Sequence, residues 1–188
     1  MNKAEYLSVL VSIVVGMGLS HVLGGLGRML VARHRVRVYG VSLAAAAVVF
    51  LALIQFWWST WDYDEAILGN FFSFLVFLLS PILLYLMGVL VFPDFDDDLA
   101  TISMRDHYFA VRPWFFGVGA AAVLANVVRN VVVERASLWT VDRPFEAAFL
   151  VLMLSGALVR APRFHALLAV VMSATFVAMI VVTSLKPG

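Results

Sequence analysis

The sequence predicts an all-α polytopic membrane protein, a bundle of six transmembrane helices in a single domain over residues 1–188. Composition is the first reason, because 63% of the residues are hydrophobic and only 13% are charged, whereas a soluble domain carries about 25% charged residues. The second reason is a mean hydropathy of +0.99. The third is a series of apolar segments that approach the roughly 20 residues a helix needs to cross a bilayer.

The predicted membrane spans cover residues 6–30, 39–61, 66–92, 114–133, 145–159 and 164–185, of which the fifth is the shortest. Short polar turns separate them, which predicts antiparallel packing of neighbouring helices. The connection over residues 93–113 is longer and contains Asp94, Asp96, Asp97 and Asp98. Because carboxylates favour the first turn of a helix, we expect a short cytoplasmic juxtamembrane helix there, running into the fourth span with a bend at Pro113.

The first span carries a small residue at every fourth position: Ser8, Ser12, Gly16, Ser20 and Gly24. Small residues let membrane helices approach one another closely, so we predict that these positions pack against other helices. Positions four apart advance by about 40° around a helix, so the stripe turns past more than one neighbour. This pattern predicts a first helix at the centre of the bundle.

Lysine and arginine residues in the loops predict the orientation in the membrane. With six spans, eight lie on one face (Arg28, Arg33, Arg35, Arg37, Arg105, Arg112, Arg160 and Arg163) and five on the other (Lys3, Arg129, Arg135, Arg143 and Lys186). The richer face is predicted to be cytoplasmic, with both termini outside. We expect Arg33, Arg35 and Arg37 to contact anionic lipid headgroups. The net charge of +1 indicates no nucleic-acid partner, which needs clustered basic residues.

Polar residues gather in the outer halves of several predicted spans. They are Gln55, Asp62, Asn70, Asn126, Arg129, Asn130 and Glu146. Helical spacing puts Gln55 and Asp62 on one face of the second helix. It likewise puts Asn126, Arg129 and Asn130 on one face of the fourth. An arginine at this depth needs a partner, and Asp62 and Glu146 are the available carboxylates. The set is either a substrate or ion site or a group of interhelical hydrogen bonds, and the sequence favours the hydrogen bonds.

A second candidate is a proton or anion site on the first span, formed by His21 and Arg28. Both lie close to Gly25 on one side of the helix, about 10 Å apart along its axis. Ionisable residues inside a membrane are functional candidates, and histidine titrates near neutral pH. The alternative is that His21 bonds a neighbouring carbonyl while Arg28 extends to the headgroups.

Sequence motifs for catalysis or cofactor binding are absent. There is no cysteine, which excludes thiolate chemistry and cysteine-ligated metals, and no metalloprotease, serine hydrolase, phosphate-loop or dinucleotide motif occurs. The aspartates of residues 94–98 form one cluster without a second acidic motif, so helix capping is favoured over magnesium binding. We predict no metal, no cofactor and no catalytic residue.

Three stretches have a distinctive pattern: residues 6–16 with His21 and Gly27–Arg28, then Gln55–Phe56–Trp57–Trp58, and further along Trp114–Phe115–Phe116. With them the chain resembles a group of small multi-pass bacterial inner-membrane proteins. The resemblance covers mainly the first third of the chain. It implies a bacterial inner-membrane setting and carries over no functional residue.

Three functions remain open from the sequence. The leading hypothesis is a non-enzymatic protein whose helix faces bind other helices, as a homo-oligomer or a subunit of a larger assembly, because of the small-residue stripe. The second is a small transporter or channel that uses Gln55, Asp62, Asn126 and Arg129 outside and His21 inside. The third is a membrane enzyme that holds magnesium at the aspartate cluster.

Overall fold

The computed structural model describes residues 3–60, 70–95, 101–133 and 142–184. These ranges contain six helices: α1 (Lys3–Val31), α2 (Gly40–Ser59), α3 (Phe71–Val91), α4 (Met104–Val128), α5 (Arg143–Leu158) and α6 (Pro162–Ser184). A π-helical turn, Arg129–Val133, follows α4. Two short parallel strands, β1 (Val36–Arg37) and β2 (Ile102–Ser103), pair with Val36 opposite Ile102. The all-α class predicted from the sequence is confirmed.

Five helices in the described ranges are long and apolar enough to cross a membrane, which indicates a multi-pass integral membrane protein. They are Val9–Val31, Gly40–Ser59, Phe71–Val91, Met104–Val131 and Pro162–Thr183. Helix α5 has 16 residues and a length of about 24 Å, whereas the hydrocarbon core is about 30 Å thick. The sixth membrane crossing therefore stays a prediction.

Helices α2 to α6 form a closed ring. Each packs on the next in chain order, and α6 packs back on α2. Contacts at both ends set the directions: Asn126 of α4 bonds Glu146 near the start of α5, while Arg112 of α4 bonds Val159 after its end. We call the end of the ring that carries β1 and β2 the strand end. The opposite end, where α2 and α6 finish and where α5 begins, is called the Glu146 end.

Helix α1 lies outside this ring, in the groove between α2 and α3, so the prediction of a central first helix is wrong. Its buried residues are Val11, Val15, Gly18, Val22, Gly25 and Met29. They recur three and four residues apart, the spacing of one straight seam. A Cβ on Gly18 would lie 3.0 Å from the Leu53 side chain, so the close approach occurs on this seam.

The predicted small-residue stripe lies mainly on the outer face of α1. Ser12, Gly16 and Ser20 are exposed and Gly24 is half-buried, while the side chain of Ser8 is outside the described part. A Cβ on Gly16 would meet nothing within 4 Å. The larger valines fill the groove between α2 and α3, so the stripe is left facing outward.

The predicted juxtamembrane helix is not a separate element, because Met104–Val128 is one helix with Pro113 inside it. The N-cap of this helix is Ser103, whose side chain accepts a hydrogen bond from the Asp106 amide at 3.2 Å. Serine is a favoured N-cap residue, which explains the later start. Asp94 is exposed in the preceding coil, and Asp96, Asp97 and Asp98 lie outside the described residues.

Candidate functional site

A partly open cavity of about 380 Å³ lies among the helices of the ring. All five ring helices line it, including Gln55 and Phe56 of α2 and Ser80 of α3. Ligand-binding pockets in proteins have volumes of about 300–1,000 Å³, mostly apolar walls and a few placed polar groups. The cavity has these properties, so it is the candidate functional site.

Polarity changes along the cavity. At the Glu146 end the lining includes Gln55, Asn126, Arg129, Asn130 and Glu146, with Ser59, Asp142 and Thr183 beside them. Deeper in the bundle it consists mainly of apolar side chains such as Val49, Leu84, Met87, Phe149 and Met153. On α4 the lining extends from Asn130 back to Gly119, about 16 Å along a helix axis. The cavity is therefore amphipathic, with a polar end and an apolar interior.

The Glu146 carboxylate is the centre of the polar end. Its Oε1 accepts hydrogen bonds from Asn126 Nδ2 at 2.8 Å and from Asn130 Nδ2 at 3.0 Å. Its Oε2 forms an ion pair with Arg143 Nη1 at 2.6 Å. Glu146 is buried, and a buried carboxylate needs such donors to offset the loss of hydration. These contacts tie α4 to α5.

Arg129 lies next to this carboxylate, at the first residue of the π-helical turn. Its Nε and Nη2 donate to Asn130 Oδ1 at 3.2 and 3.1 Å. Its guanidinium carbon lies 5.7 Å from the ring centroid of Phe56 and 5.9 Å from that of Phe77. Aromatic faces attract a guanidinium at such distances. The charge of Arg129 is thus held by an amide and two rings within the bundle.

Two lining residues have a side chain that makes no hydrogen bond with any described residue. Ser80 is 3% exposed, and its Oγ has no hydrogen-bond partner in the described part of the chain. Gln55 is half-buried, and its amide makes no hydrogen bond with any described residue. Thr183 differs, because its hydroxyl donates to the Met179 carbonyl at 2.9 Å.

The structure brings five of the seven predicted polar residues to one cavity: Gln55, Asn126, Arg129, Asn130 and Glu146. Asn70 is elsewhere, because it is exposed and caps α3, accepting from the Phe72 amide at 2.9 Å. Asp62 lies outside the described residues. The sequence analysis missed Arg143 as the partner of Glu146, although a pair three residues apart on a helix is a recognisable signal. It also missed Ser80, for which no local signal existed.

The predicted proton or anion site on α1 has a different environment. The ring of Phe92 covers Gly25 so closely that an added Cβ would clash with it. His21 is half-buried and meets the Tyr85 ring edge-to-face at 6.3 Å between centroids. Arg28 is exposed. The expected glycine notch between His21 and Arg28 is therefore filled by an aromatic ring.

The strand end of the ring is closed by a buried polar network. The hydroxyl of Tyr108 lies 2.8 Å from Nδ1 of His165, and Nε2 of His165 donates to the Val159 carbonyl at 2.8 Å. Since Nε2 carries the proton, Nδ1 accepts from the tyrosine. Arg112 Nη1 donates to the same carbonyl at 2.5 Å. This carbonyl follows the C-terminus of α5, where a positive charge is favourable.

Tyr39 packs against this network from outside the spans, with its ring 5.6 Å from that of Tyr108. Burial raises the pKa of the Tyr39 hydroxyl above its ordinary value, and the positive charge of Arg105 opposes part of that rise. The strand end is thus packed by aromatic rings, whereas the Glu146 end is polar.

Among the described residues, no group of three or more histidine, aspartate and glutamate side chains could hold a metal ion. Three aspartates of the predicted cluster, Asp96, Asp97 and Asp98, lie outside the described residues. No family model, no curated protein and no solved structure matches this chain.

Proposed function

We propose that the chain is a membrane protein that binds a small amphiphilic molecule in the cavity of the helix ring, as the binding step of a small transporter. The observation that carries the proposal is the amphipathic lining, with Gln55 and Asn126 at the polar end and Met87 and Met153 in the apolar interior. In the proposed complex, the polar group of the ligand lies at the polar end and its apolar part lies between the two methionines. We further propose a bacterial inner membrane, with the strand end cytoplasmic and the Glu146 end outside.

The alternative for the polar residues is that they only join helices, and the hydrogen bonds of Glu146 do join α4 to α5. Such bonds do not require the adjoining space of 380 Å³. At about 30 Å³ per water molecule, that space holds roughly a dozen waters. Water in the apolar interior finds few hydrogen-bond partners. An amphiphile can place its polar group at the polar end of the cavity and its alkyl chain in the apolar interior.

Photolabelling tests this binding. The protein is placed in lipid nanodiscs with decanol that carries a diazirine on its alkyl chain, and labelled residues are identified by mass spectrometry. We expect labels on Met87 and Met153, reduced by excess plain decanol. Labels confined to outward-facing residues such as Val151, which is 65% exposed, and insensitive to competition would contradict the proposal.

A matched pair of variants on α2 sharpens the test. Ala52 lines the cavity and Ala47 is exposed on the outer surface of the same helix. Ala52→Leu should reduce labelling of the cavity, since the added side chain occupies its volume, and Ala47→Leu should not. Equal labelling in both variants would show that the label does not enter the ring.

Transport is tested separately in reconstituted vesicles. We expect Arg129→Gln to abolish passage of the decanol probe from the outer medium to an internal trap, because this substitution removes the charge that holds Asn130. Passage no faster than in protein-free vesicles would restrict the role of the wild-type protein to binding.

A second candidate function, as an assembly subunit, is favoured by the outward-facing stripe on α1. Ser12, Gly16 and Ser20 are exposed there, where a second chain of this protein or another membrane protein has access. Gly16→Leu should then weaken association measured by size in mild detergent. Gly117→Leu on α4 is the control, since Gly117 is exposed and a Cβ on it also meets nothing within 4 Å, but it lies on a different helix.

The basic residues of the α1–α2 turn are proposed to bind anionic headgroups of the inner leaflet. Arg33 and Arg37 are exposed and Arg35 is half-buried. Each basic residue close to such a surface contributes about 1 kcal/mol. The magnesium enzyme remains the third hypothesis, and unchanged magnesium binding after alanine replacement of Asp96, Asp97 and Asp98 would exclude it.

A further inference from the structure

We propose that the cavity selects an uncharged amphiphile, whose polar group both donates and accepts hydrogen bonds, over anionic and cationic amphiphiles of the same chain length. This inference rests on the proposed binding function and names its ligand class. The chemistry is that of a primary amide or an alcohol on an alkyl chain.

The first reason is that the charged side chains at the cavity already have partners: Glu146 pairs with Arg143, and Arg129 donates to Asn130. Glu146 already accepts from two amides and from Arg143. An ammonium group would compete with these three donors, including the positive charge of Arg143, for the carboxylate oxygens. A carboxylate ligand would bring a second negative charge beside Glu146, and like charges in a poorly hydrated site repel strongly.

The charges around the polar end also balance among the described residues. Arg129 and Arg143 are the cations there, and Asp142 and Glu146 are the anions. A balanced set gives no net attraction to offset the loss of hydration when a charged headgroup enters, and that loss is large. An uncharged polar group loses much less.

The second reason is that the hydrogen-bonding capacity facing the cavity is neutral. Ser80 Oγ is buried without a partner in the described part of the protein, and Gln55 presents an amide that can donate and accept. The rings of Phe56 and Phe77 are in contact, with 5.6 Å between their centroids. Gln55 and Ser80 are near neighbours of these residues in sequence, so they lie within about one helical turn of the same depth. A headgroup beside Gln55 therefore lies at about the depth of Ser80.

The third reason is the character of the interior below these groups. Three methionines, Met87, Met153 and Met179, line the cavity. Methionine side chains are flexible and adapt to apolar partners of different shape. The interior therefore accepts an alkyl chain without fixing its length, and selection occurs at the headgroup.

The test compares four decyl compounds that differ only in the headgroup: decanamide, decanol, decanoate and decylamine. Binding to the full-length protein in nanodiscs is measured by titration calorimetry at pH 7, and heats from empty nanodiscs are subtracted because these compounds also enter lipid. We expect decanamide and decanol to bind at least ten-fold more tightly than decanoate and decylamine.

Variants test the two neutral side chains. Gln55→Leu and Ser80→Ala should each weaken decanamide binding about three- to ten-fold, the effect of one lost hydrogen bond. Ser42→Ala is the matched control, because Ser42 is equally buried but lies near the strand end and outside the cavity lining. Gln55→Glu should shift the preference toward decylamine, an effect that a merely structural role of Gln55 does not produce. Thermal unfolding verifies that each variant is folded.

The outcomes separate the two proposals. If none of the four compounds binds above empty nanodiscs, the proposed binding function fails. If all four bind equally, or a charged compound binds most tightly, cavity binding stands and the headgroup inference is overturned. It is also overturned if the wild-type preference persists unchanged in both Gln55→Leu and Ser80→Ala.

Discussion

Glu146→Ala is the substitution whose effect on stability can be worked out most fully from the structure. The change removes the acceptor of two amide hydrogen bonds and the partner of Arg143. Deleting one member of a buried ion pair costs about 3–5 kcal/mol. Because Arg143 is 16% exposed and hydrogen bonds within membranes average only about 0.6 kcal/mol, we expect a cost at or just below the lower limit of that range, about 2–3 kcal/mol.

In a chain of this size, 1 kcal/mol corresponds to about 2–4 °C in the melting temperature. We therefore expect Glu146→Ala to lower the melting temperature in nanodiscs by about 5–10 °C. Glu146→Gln should lower it about half as much, because the amide oxygen still accepts from Asn126 or Asn130 while the charge is lost. Asp94→Asn, at an exposed coil position, is the control. A shift of less than about 2 °C for Glu146→Ala would refute the conclusion that this carboxylate holds α4 to α5.

The remaining predictions concern α1 and the strand end. Gly18→Leu should destabilise the monomer by about 1–3 kcal/mol through overpacking against Leu53, whereas Gly16→Leu should leave the melting temperature unchanged; equal effects would contradict the position of α1. His165→Leu should cost about 2 kcal/mol in thermal unfolding, because the buried Tyr108 hydroxyl loses its acceptor, while the Val159 carbonyl keeps Arg112 as a donor. No loss would exclude a structural role. The raised pKa of Tyr39 means that the folded state holds the hydroxyl proton more tightly than the unfolded state does. The resulting contribution to the free energy of unfolding is complete below the ordinary pKa of about 10 and is lost as the pH rises through the higher pKa of the folded state. Tyr39→Phe should therefore flatten the fall in stability above pH 10.

Hydrophobicity and spacing were sufficient to predict the helices, because both signals are local. The predicted span 39–61 corresponds to Gly40–Ser59 and the predicted span 164–185 to Pro162–Ser184. The sequence also predicted that Asn126 and Asn130 lie on one face of a helix. In the structure both amides reach the same oxygen of Glu146. Positions four apart on a helix point the same way whatever surrounds them.

Tertiary packing could not be predicted in the same way. The stripe of Ser12, Gly16 and Ser20 and the seam of Val11, Val15 and Val22 are both regular patterns on α1, and both suit close or apolar contact in a membrane. Apolar residues can face lipid or protein, so the sequence does not say which pattern is buried. The groove between α2 and α3 determines this, and no local signal describes that groove. Ser80 and the cavity were missed for the same reason.

The cavity itself follows from where small and large residues fall around the ring. Five helices in a ring leave a central space that side chains must fill. Near the strand end the rings of Tyr108 and Phe116 lie against His165, 5.4 and 5.7 Å away between centroids, and they fill it. Further along, the inward positions include Ala52 and Ala122, which are too small to do so.

This arrangement relates stability to function. Filling a cavity commonly stabilises a protein by about 0.5–2 kcal/mol, so a sequence selected for stability alone would be expected to carry larger residues at Ala52 and Ala122. Ala52→Leu should accordingly keep or raise the melting temperature while it reduces cavity labelling. A variant that is more stable but no longer binds indicates that the space is kept for a ligand. If Ala52→Leu instead destabilises the protein and leaves labelling intact, the space is occupied by packed side chains in the membrane and the binding proposal fails.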